Sequence, residues 1–162
     1  MRYNARMPGT TQRLLATMIT TTTYGTWLPG DLRGYVDRGV ILPHDPDRLE
    51  RSRRLMKTDP VFLTPREQEI VFEALLRAAR ESEYALFAVS IESWHAHWLI
   101  DHAFDGVEVM VGRLKTRMRQ ALDRGRLWTT GYNARYCFDE DAVEARRNYI
   151  CRHEGSRAVL ES

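Results

Sequence analysis

Residues 84–104, YALFAVSIESWHAHWLIDHAF, carry two runs of aliphatic, aromatic and β-branched side chains separated by the polar pair Glu92-Ser93. Runs of this composition favour strands over helices, and a short polar break suits a tight turn. The stretch therefore predicts two successive strands that pair as a hairpin, with the turn near Glu92 and Ser93. Within WHAHWLI, strand alternation puts His95, His97 and Leu99 on one face and Trp94, Ala96, Trp98 and Ile100 on the other. Two imidazoles then project side by side, and the two tryptophans are assigned to a core on the opposite face.

Helical signals flank this hairpin on both sides. Before it, Thr64-Pro65-Arg66-Glu67 offers an N-cap, a proline at the first helical position and a glutamate that completes a capping box. Ile70, Val71, Ala74, Leu75 and Ala78 then supply one apolar face, which predicts a helix to about Ser82. After the hairpin, Asp105 can cap a second helix with Glu108 at its third position. Val107, Met110, Val111, Leu114, Met118, Ala121 and Leu122 recur at helical spacing along it. The linker DRGRLWTTGYNA leads to a short strand at about 135–138, RYCF. Asp139, Glu140 and Asp141 then place negative charge at the start of a last helix, which should reach about Glu154.

Upstream, residues 14–28 (LLATMITTTTYGTWL) predict a first strand, and Pro29 to Leu63 read as an irregular connection with a short basic helix at 48–57. The resulting order is β-α-β-β-α-β-α. This is an α+β chain, a ferredoxin-like split βαβ sandwich with helices on one side of an antiparallel sheet and an extra C-terminal helix. Since that fold hosts many functions, the functional reading rests on sites.

With 162 residues the chain suits one domain spanning 1–162, residues 1–13 forming a flexible tail. The net charge of +2 is modest, but basic residues cluster at Arg48, Arg51, Arg53 and Arg54 and again at Arg113, Lys115, Arg117 and Arg119. Each cluster reads equally as a contact for an anionic polymer or as a solvated helix face. Cys137 and Cys151 are too few for a disulfide framework and are read as buried thiols. No apolar stretch follows the basic start and no uncharged run could span a bilayer, so a cytoplasmic protein without a membrane partner is the expectation.

A His-x-His strand is a common way to offer two nitrogens to one divalent ion, but the spacing alone does not decide it. Tyr149 and His153 lie four residues apart, hence on one helical face. Read alone, they are equally a half-buried aromatic and a histidine suited to a helix C-terminus. His44 and His102 have no partner visible in the sequence.

The order of these features, a His-hydrophobic-His strand, a helix, a short strand and a late helix bearing Tyr149-Ile150, resembles the Y1-type HUH nucleases. That family includes the IS200/IS605 transposases and the tyrosine transposases associated with repetitive extragenic palindromes. The stretch TYGTWLPGDLRG at 23–34 is similar to that of the latter group, and the resemblance runs from about Met18 to Gly155. It implies that Tyr149 is the nucleophile and that His95, His97 and His153 hold a divalent metal, Mg2+ or Mn2+. It also implies a partner, single-stranded DNA with hairpin structure, cut and rejoined through a 5′-phosphotyrosine; a homodimer fits the family.

The chain departs from the family at two places. Relatives more often have Gln or Asn where this chain has His153, and Pro-Asn or Pro-Asp where it has Ser93-Trp94. Arg113, Lys115, Arg117 and Arg119 could follow the phosphate backbone and Trp27, Trp128 and Tyr132 could stack on unpaired bases, although each aromatic taken alone reads more readily as a core residue. Two rival readings are a non-catalytic descendant that binds DNA hairpins and a ferredoxin-like RNA-binding or RNA-processing protein.

Overall fold

The computed structural model describes residues 12–153 and the backbone of 156–157. Most of the expected tail and Glu154 lie outside the described residues. The element order is β1 (Ala16–Thr22), β2 (Tyr35–Asp37), β3 (Val40–Leu42), α1 (Pro46–Arg54), α2 (Pro65–Glu81), β4 (Ala85–Ile91), β5 (His95–Asp101), α3 (Val107–Ala121), β6 (Asn133–Cys137), α4 (Glu140–Cys151) and β7 (Ser156–Arg157). The main sheet runs β6-β1-β5-β4-β7 with every pairing antiparallel. Its first four strands have the order expected of a split βαβ sandwich, and the two-residue β7 lies beyond β4.

Local chemistry accounts for most element ends. Thr64 and Glu67 form the reciprocal capping box at the start of α2, 3.2 Å and 2.9 Å, an arrangement of order ~1 kcal/mol. Asp139 caps α4 by accepting from the Ala142 amide at 2.7 Å. Helix α3 differs from expectation, because Gly106 is its N-cap and no side chain bonds there. The Asp105 carboxylate instead accepts from the Tyr84 hydroxyl and from Arg113. An ion pair with Arg113, two turns into the same helix, together with the Tyr84 hydroxyl, outcompetes the cap.

The connection from 29 to 63 is more ordered than its proline and glycine content suggests. It contains the α1 helix, shorter than expected, and a β2–β3 hairpin that the residue pattern does not signal. Arg38 and Gly39 both have positive φ, 49° and 79°, the combination of a type I′ turn. Strand β1 ends at Thr22 because Thr26 folds back, its hydroxyl donating to the Thr23 carbonyl at 2.7 Å, and Gly25 turns the chain at φ 75°.

Two apolar layers flank the sheet. On one face, α2 and α3 bury Val71, Leu75, Met110, Leu114 and Met118 against Ile19, Trp98 and Ile100. Each such side chain contributes about 1.5–3 kcal/mol. On the other face, Ile150 of α4 packs with Met18, Ala88, Leu99 and Cys137. A bulge at Phe87 breaks the β4–β5 register between Leu86 and Ala88, so that Phe87 and Ala88 both turn to the α4 side. The strand order thereby places β5 inside the sheet with α4 across the face that carries Leu99.

Candidate functional site

The alternation of β5 sends Ala96, Trp98 and Ile100 into the α2/α3 core and leaves His95 and His97 on the α4 side. Tyr149 descends toward them from α4, which ends at Cys151 rather than at the expected Glu154, and His153 follows just past the Arg152 C-cap, its amide donating to the Ile150 carbonyl at 3.1 Å. Ring centroids are 5.0 Å apart for His95 and His97, 4.7 Å for His97 and His153, 5.9 Å for His95 and His153 and 5.6 Å for His97 and Tyr149. One potential ligand nitrogen from each of His95, His97 and His153 lies within 4.8 Å of the others. Tyr149 is 44% exposed. The residues that family resemblance groups together are thus brought together by one strand and one helix.

Two of the three imidazoles are oriented by hydrogen bonds on Nδ1. His97 Nδ1 pairs with the Thr20 hydroxyl on the neighbouring strand at 2.8 Å, and His153 Nδ1 with the Tyr149 carbonyl at 3.0 Å. Each bond leaves the other ring nitrogen for a ligand. His95 Nδ1 is buried without a hydrogen-bond partner among the described residues. Burial, with the neighbouring histidines His95 and His153 adding to it, pushes His97 down to about 3, and burial also lowers His95. Neutral, partly buried nitrogens converging from two elements, one of them unsatisfied, form a donor set that fits a divalent ion.

The turn before His95 is held by backbone hydrogen bonds from outside the hairpin. The Leu63 amide donates to the Ser93 carbonyl at 2.7 Å and the Thr23 amide to the Trp94 carbonyl at 2.8 Å. These bonds hold Ser93-Trp94 from two connecting segments. Trp94 is not the core residue that strand alternation assigns, because β5 begins only at His95. Its ring lies 4.1 Å from the His95 ring and 5.6 Å from Trp27. The alternation holds for Trp98, which is fully buried.

The basic row on α3 lies across the sheet from this cluster. Arg113 bonds Tyr84 and Asp105, Arg117 pairs with Glu81, and Arg119 has no ion pair among the described residues. Lys115 donates to the carbonyls of Thr129 and Gly131 at 2.8 and 2.9 Å, and burial lowers it to about 8. Its ammonium ties down the loop before β6.

The aromatic candidates divide. Trp128 packs on the α2/α3 core, whereas Trp27 and Tyr132 line a groove of about 480 Å3 with Thr20 and Thr22, the β1 partners of His97 and His95. His102, without a visible partner in the sequence, bonds Thr17 and the Asp105 carbonyl, and His44 bonds the Gly30 carbonyl. Cys137 is buried as expected but Cys151 is exposed. Among the described residues, no helix is long and apolar enough to cross a membrane.

The sequence matches no family model and no curated protein. A solved structure described as the REP-associated tyrosine transposase bound to a REP hairpin aligns with 93% of this chain and 70% of its own, at a TM-score of 0.52 and 12% identity. The α+β architecture of this chain is that of a tyrosine transposase structure, with a cluster of three histidines that could hold a metal on the sheet face beneath its last helix.

Proposed function

We propose that the chain is a metal-dependent single-stranded DNA endonuclease and strand transferase, acting at hairpin-associated sites with Tyr149 as nucleophile. One observation carries the reading: an exposed tyrosine stands 5.0 Å from His153 and 5.6 Å from His97, ring centroid to centroid, beside a cluster suited to an ion. Mg2+ or Mn2+ bound by His95, His97 and His153 would neutralise charge on the phosphoryl oxygens. Tyr149 attacks the scissile phosphorus through its hydroxyl oxygen, forming a 5′-phosphotyrosine as the bond to the 3′ oxygen breaks. The tyrosine loses a proton and the departing 3′ oxygen gains one. Attack by a 3′-hydroxyl reverses the step and joins strands. Since the phosphotyrosine bond conserves the energy of the phosphodiester, the chain requires no nucleotide cofactor.

The solved structure of similar fold is described with a REP hairpin bound, which favours a hairpin-bearing strand as the substrate here. Trp27 and Tyr132 in the groove beside Thr20 and Thr22 are suited to stack on unpaired bases. The α3 arginines Arg113, Arg117 and Arg119 are proposed as a separate contact with backbone phosphates, Arg119 foremost because it is not ion-paired among the described residues, while Lys115 of the same row is committed to the Thr129 and Gly131 carbonyls. The departure at Ser93-Trp94 favours a second reading, a hairpin binder that no longer cuts.

Incubation of the chain with labelled hairpin-bearing single strands and Mn2+ tests the proposal. A labelled protein adduct that disappears in Tyr149→Phe supports it. Hairpin binding without cleavage or adduct overturns the enzyme and leaves the binder.

A further inference from the structure

We infer that Trp94, Arg33 and Trp27 are positioning residues that set the ring of His95 for its ion; the inference rests on reading the histidine cluster as a metal site. Of the three candidate ligands, His97 is steered by Thr20 and His153 by the Tyr149 carbonyl. His95 has no such bond on its buried Nδ1. Of the rings around it, that of Trp94 lies nearest, at 4.1 Å and tilted by 57°, against 5.0 Å for His97 and 5.9 Å for His153.

Trp94 is itself held by a stack built in the 23–34 segment. The Arg33 guanidinium carbon lies 4.1 Å from the Trp27 ring centre and 4.9 Å from that of Trp94, within the range of cation–π attraction to both. Asp31 grips that guanidinium with two bonds of 2.7 and 2.9 Å, and the Thr26 carbonyl accepts a third of 2.7 Å. The Trp27 indole nitrogen donates to the Gly34 carbonyl at 2.8 Å. The chain from Asp31 through Arg33 to Trp94 therefore ends on the imidazole whose Nδ1 has no hydrogen-bond partner among the described residues. The TYGTWLPGDLRG segment thus supplies to His95 by stacking what Thr20 supplies to His97 by hydrogen bonding.

The arrangement depends on ring shape and planarity more than on charge. Arg33→Lys keeps the cation but loses the planar fork that Asp31 and the two indoles share. Trp94→Phe keeps a ring against His95, and Trp94→Ala removes it. Partners that orient metal ligands typically govern affinity by roughly 10- to 100-fold.

Two measurements on purified full-length chain decide it: Mn2+ affinity by titration calorimetry, and the His95 ring proton resonances of the metal-free protein, with thermal melts to verify folding. The inference expects Mn2+ binding weakened about tenfold or more in Trp94→Ala and Arg33→Lys and nearly restored in Trp94→Phe. It also expects His95 resonances that are single in the wild type and Trp94→Phe, but split or broadened in Arg33→Lys. A folded Arg33→Lys with an unchanged His95 resonance overturns it, whatever the affinity. Should the wild type bind no Mn2+, the metal reading falls separately and the resonance alone decides the positioning. Should Trp94→Ala fail to fold, Arg33→Lys and Trp94→Phe carry the test.

Discussion

The Thr20 hydroxyl and His97 Nδ1 lie 2.8 Å apart across the β1–β5 ladder, where the two residues are direct register partners. With Nδ1 donating to the hydroxyl oxygen, the ring presents Nε2 as a lone-pair donor in a fixed orientation. Thr20→Val keeps the β-branched shape and removes this partner. Mn2+ affinity should fall by roughly tenfold with the fold intact. Calorimetric titration checks it, and wild-type affinity in the variant would mean that Thr20 does not orient a ligand.

His153 stands where the HUH nucleases that the sequence resembles more often carry an amide side chain. Imidazole nitrogen is a softer donor than an amide oxygen and shifts preference from magnesium toward manganese. His153→Gln should therefore narrow the gap between Mn2+ and Mg2+ affinities. Identical affinities for wild type and variant would remove His153 from the site.

The depressed proton affinities of His97 and His95 give a pH signature in the metal-free chain. Between the ordinary histidine value of 6.5 and the value of about 3 for folded His97, the unfolded state holds a proton that folded His97 does not. Stability should accordingly decrease as pH falls through that window, His95 adding to the trend, with a slope approaching ~1.4 kcal/mol per pH unit for each such proton. Denaturant unfolding at pH 6.5 and 4.5 measures it. A slope equal in wild type and His97→Asn would refute the assignment to His97.

Gly30 has φ 94°, and a β-carbon there would stand 2.3 Å from the Leu49 amide nitrogen and 2.5 Å from the Asp45 carbonyl oxygen. Neither backbone atom can yield, since both belong to the start of α1. Gly30→Ala should cost more than ~1 kcal/mol, through strain in the left-handed region and the displacement of α1. Thermal unfolding tests this, and an unchanged midpoint would show that the segment relaxes freely.

The amino-acid sequence by itself determined the strands and helices of the sheet core, because their periodicities, the Thr64 capping box and the Asp139 cap are local. It also placed His95 and His97 on one face through the fixed repeat of the strand; His153 reaches Tyr149 from just past the end of α4, its ring bonding back to the Tyr149 carbonyl. Residue order could not tell that this strand face meets the last helix; the ferredoxin-like order was legible, but the seat of the last helix depends on which sheet face Ile150 finds uncovered. Tertiary structure alone decided three further matters. Asp105 prefers Arg113 and Tyr84 to an empty helix end, because an ionic partner outweighs a cap. Lys115 turns inward to two carbonyls whose proximity comes from a loop fourteen or more residues away. Trp94, assigned to the core by alternation, lies outside the strand, and its contacts with Trp27 and Arg33 come from a segment some sixty residues earlier in the chain. Such contacts join distant residues across closed loops, and no local periodicity records them.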